Sequence, residues 1–157
     1  QVLSNVAKGY DPGQLSTAVR DTREAGIYIM GNYIFGLPDD DLNSMRQTLD
    51  QAKDLNCEFV NFYCCMAYPG SRLYEEALRT GARMPDTWAG YSQLAYESLP
   101  LATKHVSAAE VLQFRDRAFL EYFSNPAYLQ MIEAKFGQKT VNTVREMLKT
   151  EIKRKYA

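Results

Sequence analysis

Two corners in the sequence set its architecture. The first is the stretch Asn32-Tyr33-Ile34-Phe35-Gly36-Leu37-Pro38-Asp39, where an apolar run ends at a Gly-Leu-Pro corner and an acidic, helix-starting segment follows. The same change recurs where residues 59–66 are followed by Tyr68-Pro69-Gly70-Ser71. The corners lie roughly 30 residues apart, the length of one strand–helix unit in an α/β protein. Loops at the carboxyl ends of parallel strands hold ligands in such folds, so both corners are candidate walls of a site.

The pattern of apolar residues around these corners predicts alternating helices and strands. Residues 11–26 are predicted as a helix capped by Asp11, and residues 27–35 as a strand. A second helix begins within residues 39–41 and reaches about residue 56, and a second strand covers residues 58–65. Ser71 caps a third helix, which ends at Gly81. This order is typical of a wound α/β layer.

The composition and periodicity of the sequence change after Gly81. Residues 82–106 combine proline, glycine and aromatic residues without clear periodicity, which indicates an ordered but irregular connection. Three further helices are predicted, over residues 107–124, over residues 126–137 and over about residues 140–155. We interpret the basic run Lys153-Arg154-Lys155 as a complement to the dipole at the end of the last helix.

Composition is that of a globular protein without an obvious charged partner. The chain of 157 residues is 46% apolar and has a net charge of −1, so we expect a buried core and neither nucleic acid nor a membrane surface as partner. No apolar run approaches the length of a membrane span. Cys57, Cys64 and Cys65 follow no metal-binding pattern, and this indicates reduced thiols in a cytoplasmic protein.

The predicted strands do not make a complete domain. Two strands are too few for a self-sufficient parallel sheet. The chain also opens with a polar, partly periodic segment over residues 2–10. Both observations favour the interpretation that the sequence is the C-terminal piece of a larger protein.

The motifs resemble a known family. The stretch 32–39, together with Ala25-Gly26-Ile27 and the segment 67–74, is similar to the late part of a radical S-adenosylmethionine (radical SAM) domain, of the type that accompanies a cobalamin-binding domain. The resemblance implies an α/β fold in which residues 1–81 form the last two strand–helix units of a partial (β/α) TIM-like barrel. Residues 82–157 would then form an irregular connection and an all-helical C-terminal extension.

The resemblance also implies five cofactor-binding residues, and it implies neither catalytic nor metal-ligand residues. Ile34 would lie against the adenine of S-adenosylmethionine, and Gly36 would let the chain turn close to the cofactor. Asn32 and Asp39 stand where the family usually has Gly and Glu, and Tyr68 would contact cofactor or substrate at the barrel mouth. Each residue has a structural alternative, namely core packing, a turn, helix capping or loop packing.

Cofactors and partners follow from the same resemblance. The family holds a [4Fe–4S] cluster with a Cys-x-x-x-Cys-x-x-Cys loop that this sequence lacks, so the chain alone is predicted to be inactive. The full-length enzyme, an iron–sulfur oxidoreductase, would use the cluster and S-adenosylmethionine, with cobalamin as a further candidate. Its partners would be the remaining N-terminal barrel half, a cobalamin-binding domain and a small organic substrate. The isolated chain is expected to self-associate through its uncovered strands.

Two other functions remain open from the residues alone. The chain could be a complete, non-catalytic α/β-helical module that binds a partner. It could also be a small enzyme that uses Asp39, Asp40 and Asp41 as metal ligands, although such a site needs more ligands than the sequence offers nearby. His105 is the only histidine, which makes a catalytic dyad centred on it improbable.

Overall fold

The computed structural model describes residues 12–157. In this range the chain forms a mixed α/β structure with six helices, two strands and one short 3-10 turn. The predicted cap Asp11 and the opening segment 2–10 lie outside the described residues. Helices α1 to α6 span Pro12–Glu24, Leu42–Leu55, Arg72–Arg79, Ala108–Phe123, Pro126–Phe136 and Gln138–Met147, strands β1 and β2 span Met30–Phe35 and Phe59–Cys64, and the turn spans Trp88–Tyr91.

Strands β1 and β2 pair in parallel, and their two faces have different environments. The register runs from Met30 opposite Phe59 to Phe35 opposite Cys64. Because side chains alternate along a strand, paired residues share a face. The covered face is packed beneath helices and carries Tyr33, Phe35, Val60, Phe62 and Cys64. The open face is exposed or half-buried and carries Met30, Asn32, Ile34, Phe59, Asn61 and Tyr63.

The main core lies between the covered face and helices α2, α4 and α5. The rings of Phe35 and Phe62 stack with centroids 5.5 Å apart, and Phe62 meets Tyr122 of α4 edge-on at 5.5 Å. Tyr122 buries its hydroxyl, which donates a hydrogen bond to the carbonyl oxygen of Cys57 at 2.9 Å. Buried aromatic pairs of this kind contribute about 0.5–1.5 kcal/mol beyond their area. The core thus joins segments from both sides of residue 81, and the predicted division there stays a prediction.

Helix α2 begins as its sequence predicts. Asp41 is the N-cap, and its side chain accepts a hydrogen bond from the backbone N–H of Ser44 at 2.7 Å. Ser44 returns the bond through its hydroxyl, which accepts from the Asp41 N–H at 3.0 Å. Such reciprocal capping satisfies two backbone donors that the helix leaves unpaired. The acidic segment after the first corner therefore starts a helix, as predicted.

The first strand is shorter than predicted. The prediction placed residues 27–35 in the strand, but pairing starts at Met30, and Ile27 and Tyr28 are exposed. The end of α1 explains the difference, because the Ile27 N–H donates to the carbonyl oxygen of Thr22 at 3.1 Å. The Ile29 N–H, directly before the strand, donates to the buried carboxylate of Glu58 at 3.0 Å.

The last helix also ends early, so the interpretation of the basic run as a helix-end complement was wrong. Helix α6 stops at Met147, and residues 148–157 fold back instead of continuing to residue 155. The side chain of Arg154 is only 4% exposed. Its guanidinium donates two hydrogen bonds to the carboxylate of Asp116, at 2.9 and 2.8 Å. A tertiary ion pair therefore outweighs the local preference for helix.

Candidate functional site

The loops that follow the two strands meet at one end of the sheet. After β1 comes the Gly-Leu-Pro corner, and after β2 come residues 65–68. The irregular connection folds over both loops. The Leu101 N–H donates to the carbonyl oxygen of Cys65 at 3.2 Å, and the Lys104 N–H donates to that of Pro38 at 3.0 Å. The structure therefore brings the two corners together, as expected for the carboxyl ends of parallel strands.

Two of the five predicted site residues lie together on the open face. Ile34 is 37% exposed and pairs with Tyr63 across the sheet. Asn32 pairs with Asn61, and the amide nitrogen of Asn61 donates to the amide oxygen of Asn32 at 3.0 Å. The open face thus combines apolar side chains with a pair of amides. Sequence reasoning missed Asn61 and Tyr63 as site residues, because aligning the prolines of the two corners pairs Asn32 with Tyr63, two residues away from the observed register.

Gly36 is buried where the chain turns at the end of β1. Its φ of +80° lies in the left-handed region that favours glycine. A Cβ on this residue would lie 2.6 Å from Cγ1 of Val111 in α4. In this structure the close approach that needs glycine is therefore to helix α4.

The three consecutive aspartates have separate structural partners. Asp39 forms an ion pair with Lys104, which ties the first corner to the irregular connection. Asp40 is buried, accepts the Leu37 N–H at 2.9 Å and accepts the Ser44 hydroxyl at 2.7 Å. Asp41 caps α2, and the backbone hydrogen bond from Ser44 lowers the pKa of its carboxyl.

These contacts remove the support for the metal alternative. Within residues 12–157, no group of three or more His, Cys, Asp or Glu side chains is arranged to hold a metal ion. The hypothesis that Asp39, Asp40 and Asp41 form a metal site does not agree with this arrangement, because a protein donor already engages each carboxylate.

Tyr68 lies at the second corner and is exposed. Its hydroxyl donates to the carbonyl oxygen of Tyr91 at 3.4 Å, and the two ring centroids are 6.1 Å apart. Tyr91 in turn lies beside Trp88, with ring centroids 5.8 Å apart. The loop after β2 is therefore joined to the 3-10 turn by aromatic contacts that the sequence did not predict.

Side chains occupy the edge of β2 that faces away from β1. The side-chain amide of Gln93 accepts the Cys64 N–H at 2.8 Å and donates to the Cys64 carbonyl at 3.0 Å, as a neighbouring strand would. The guanidinium of Arg115 donates to the carbonyl of Phe62 at 2.9 Å. This edge cannot accept another strand without displacing both side chains. In the described part of the chain, β1 and β2 are the only strands of the sheet.

A buried network of charges supports this edge. Asp116 receives hydrogen bonds from Arg115 at 3.0 Å and from Arg154, and Arg154 also donates to the carbonyl of Gln93 at 2.9 Å. Burial alone would raise the pKa of the Asp116 carboxyl, but the two guanidinium groups outweigh it and lower that pKa. The carboxylate therefore stays ionised and holds the C-terminal segment against the irregular connection.

The three cysteines are free, buried and held as neutral thiols. Burial raises the pKa of Cys64 to about 12 and that of Cys65 to about 11, and it also raises the pKa of Cys57. Because thiolate is the reactive form, we expect the folded chain to react with Ellman's reagent at pH 8 roughly a hundredfold more slowly than the unfolded chain. Unfolding in guanidinium chloride should release three reactive thiols. Rapid reaction of the folded chain would contradict this arrangement.

Glu58 predicts a dependence of stability on pH. Its buried carboxylate binds Lys135 and the Ile29 N–H. Burial would raise its pKa, but these hydrogen bonds lower it below the ordinary value. Because its pKa is lower in the folded state, Glu58 adds stability at pH values above its unfolded pKa of about 4.3. This added stability is lost as the pH falls through the folded pKa. We therefore expect the free energy of unfolding, measured with urea, to fall less between pH 7 and pH 3.5 in Glu58→Gln than in the parent chain.

The exposed Glu76 offers a matched control for this measurement. Its side chain is 56% exposed and is engaged by Arg79 of the same helix. Glu76→Gln should leave the pH profile of the parent chain unchanged, because exposed ion pairs contribute little. Equal pH profiles for the parent and Glu58→Gln chains would show that Glu58 is not the source of the effect.

The fold and the site together define an α/β layer of two parallel strands, open on one face, with a helical C-terminal segment. Within the described range, no helix has the length and apolar character to cross a membrane. No protein-family model matches the chain.

Two curated relatives are methyltransferases. The chain is 25% identical over 129 residues to an uncharacterized methyltransferase of Pyrococcus horikoshii, a match that covers 82% of this chain and 28% of the relative. It is 23% identical over 99 residues to the bacteriochlorophyllide d C-8(2)-methyltransferase of Chlorobaculum tepidum, a match that covers 59% of this chain and 22% of the relative. The matched region thus spans about a quarter of each relative's length.

Proposed function

We propose that the chain is the C-terminal part of a radical SAM methyltransferase and forms the last two strands of a partial (β/α) barrel. The main supporting observation is the asymmetry of the sheet. Helices cover one face, whereas the other face exposes Asn32 and Ile34. In such barrels helices surround the outside and the opposite face of each strand points inward. The open face then belongs to the barrel interior.

Two further observations support this proposal. The matched regions make up 28% and 22% of the two methyltransferase relatives, so proteins of this kind contain a larger segment that could supply the remaining strands. Gln93 and Arg115 occupy the outer edge of β2, which leaves the β1 edge as the place where such strands pair. β2 would be the last strand of the barrel.

The open face fits the adenine end of S-adenosylmethionine. Small-molecule sites are mostly apolar and contain a few placed polar groups. Ile34 and Met30 provide apolar surface, and the amides of Asn32 and Asn61 provide hydrogen-bonding groups between them. We therefore propose that Ile34 packs against the adenine and that Asn32 hydrogen-bonds to the nucleoside.

Loop residues would shape the neighbouring part of the same site. Gly36 sets the corner at the end of β1, and the ion pair with Lys104 fixes Asp39 beyond it. Tyr68 is exposed at the second corner, where it would face the cofactor or substrate. The cysteines do not fit a cluster, because they are buried as neutral thiols, and the ligands of a [4Fe–4S] cluster would come from the remainder of the protein.

Binding and orientation are thus the proposed tasks of this chain. When bound, the cofactors would supply radical methylation, in which one S-adenosylmethionine gives methionine and, with the hydrogen atom of an organic substrate, 5′-deoxyadenosine. A second S-adenosylmethionine would supply the methyl group and leave as S-adenosylhomocysteine, and an external reductant would supply the two electrons. Cobalamin is a further proposed cofactor, and it would require a separate domain. The open face would hold the nucleoside and keep water away from it.

The isolated chain should then self-associate. Met30, Ile34 and Phe59 expose apolar surface on the open face, and no strand of the described residues pairs with the outer edge of β1. Such surfaces promote association in water. Sedimentation velocity should show oligomers whose population falls in the Ile34→Lys variant. A strictly monomeric parent chain at high concentration would contradict this expectation.

The experiment that tests the proposal measures S-adenosylmethionine affinity in the full-length protein after anaerobic cluster reconstitution. Ile34→Ala should weaken binding roughly tenfold, because it removes apolar contact with the adenine. Leu120→Ala provides the control, since Leu120 is exposed on α4 behind the sheet. Equal affinity in both variants would overturn the placement of the site, and a full-length protein without affinity for the cofactor would favour the non-catalytic module.

A further inference from the structure

Two amide side chains contact each other across the middle of the open face. Asn32 of β1 and Asn61 of β2 are register partners. The amide nitrogen of Asn61 donates to the amide oxygen of Asn32 at 3.0 Å and to the sulfur of Met30 at 3.4 Å. We call Asn32 and Asn61 the amide pair. Along β1 the pair lies between the exposed side chains of Met30 and Ile34, so polar groups stand within apolar surface.

These contacts fix the direction of both amides. A thioether sulfur accepts hydrogen bonds but cannot donate them, so the end of the Asn61 amide that contacts Met30 is the nitrogen. The two N–H groups of Asn61 therefore serve Met30 and Asn32, and Asn32 is held by its oxygen. Among residues 12–157, neither the Asn32 amide nitrogen nor the Asn61 amide oxygen has a hydrogen-bond partner.

The amide pair thus presents a donor beside an acceptor. Asn32 is exposed and offers its N–H groups, and Asn61 is half-buried and offers its carbonyl oxygen. The amine edge of adenine carries the matching groups, an N–H donor next to a ring-nitrogen acceptor. Hypoxanthine has a carbonyl in place of the amine, so it presents an acceptor where adenine presents a donor. The pair therefore favours adenine over hypoxanthine.

The spacing along β1 suits a purine. Ile34 lies two residues beyond Asn32 on the same face, a separation of roughly 7 Å. A purine ring packed on Ile34 would therefore direct one edge towards the amide pair. Turning the ring over would exchange the positions of its donor and acceptor, but it would also move the attached ribose, so a cofactor held at its other end keeps one orientation.

We propose that Asn61 is a specificity-determining residue of the nucleoside site, which it serves by holding the Asn32 amide with its N–H groups towards the ligand and by accepting the adenine amine itself. The identity of the ligand rests on the proposed function, whereas the direction of the two amides rests on the contacts of Asn61 with Asn32 and Met30. The proposal assigns to this face the choice between an adenine and a deaminated base.

The experiment compares S-adenosylmethionine with S-inosylmethionine, its deaminated analogue. Equilibrium dialysis of the reconstituted, unreduced full-length protein measures the dissociation constant of each compound without turnover. The parent protein should bind S-adenosylmethionine at least about tenfold more tightly, because the analogue opposes acceptor to acceptor and donor to donor. Equal affinity for the two compounds would overturn the proposal.

Two variants test the role of Asn61. Asn61→Asp has the same size but lacks N–H groups, so it accepts from the Asn32 amide nitrogen and turns the Asn32 oxygen towards the ligand. Asn61→Ala leaves the Asn32 amide free to rotate. In both variants the ratio of the two dissociation constants should fall to about threefold or less. A purely structural role of Asn61 would change both affinities by the same factor and leave the ratio unchanged, which would contradict the proposal.

Asn142→Asp is the matched control. Asn142 also belongs to a pair of amides, in which its oxygen accepts from the amide nitrogen of Gln138 at 3.0 Å, but this pair is exposed on α6. The control should keep the ratio of the parent protein. A protein that binds S-adenosylmethionine in an Ile34-dependent way but does not reject the analogue would overturn this inference alone. A protein without affinity for either compound would overturn the proposed function as well.

Discussion

Replacing Asp116 by alanine is expected to destabilise the chain by about 3–5 kcal/mol, because the substitution leaves two buried guanidinium groups without their counter-charge. The side chains of Arg115 and Arg154 are only 7% and 4% exposed, and both donate to the Asp116 carboxylate. Urea unfolding followed by circular dichroism at pH 7 measures the change in the free energy of unfolding. The same variant should expose the C-terminal residues to proteolysis, since Arg154 would lose its anchor.

Asp50→Ala is the matched control. Asp50 also pairs with an arginine, Arg46, but both side chains are about half exposed. Water can solvate the remaining charge, so the expected loss is about 0.5 kcal/mol or less. A loss of less than 1 kcal/mol for Asp116→Ala would mean that residues 148–157 do not depend on this network, and the described position of the C-terminal segment would then be wrong.

A second large effect is expected at Gly36. Gly36→Ala should cost about 2–4 kcal/mol, because alanine is strained at a φ of +80° and because its Cβ would overlap Cγ1 of Val111. Gly81→Ala isolates the first of these causes. Gly81 has a φ of +70°, but a Cβ on this residue would meet nothing within 4 Å beyond its chain neighbours, so the variant should lose only about 1–2 kcal/mol.

A double-mutant cycle isolates the second cause. Val111→Ala removes both methyl groups that the new Cβ would meet. The two substitutions together should therefore cost at least about 1 kcal/mol less than the sum of the single losses. Strict additivity would show that the corner and α4 do not make the close contact that holds the end of β1 against the helical layer.

The elements that the sequence predicted well are those with local signals. The acidic segment after the first corner starts α2 at Asp41, and Ser107 with Glu110 forms the capping box that opens α4. The parallel strands follow from two apolar runs that end at similar corners. Asn32 and Ile34 share a strand face by simple alternation, so their common exposure could be expected once one face was known.

The features that could not be predicted depend on contacts between distant segments. The side-chain amide of Gln93 makes the two hydrogen bonds to Cys64 that a neighbouring strand would make. Nothing near Gln93 in the sequence distinguishes it from an ordinary polar side chain. Arg154 leaves a predicted helix because Asp116 lies 38 residues earlier in the chain but adjacent in space. Lys104 reaches Asp39 for the same reason. Local patterns carry no information about such pairings.

The exposed face of the sheet connects these observations to function. A two-stranded parallel sheet with an uncovered face is unusual as a final structure, because parallel sheets are normally buried on both sides. Here Gln93 and Arg115 occupy the outer edge of β2, which supports the proposal that further strands pair beside β1. The proposed barrel interior accounts for the open face.

The most informative measurement is anaerobic expression of the complete reading frame that contains this sequence, followed by reconstitution with iron and sulfide. We expect about four irons per chain, the visible spectrum of a [4Fe–4S] cluster and formation of 5′-deoxyadenosine from S-adenosylmethionine after reduction. A complete protein that takes up no iron and does not cleave the cofactor would contradict the proposal, and the chain would then be better described as a non-catalytic α/β-helical module.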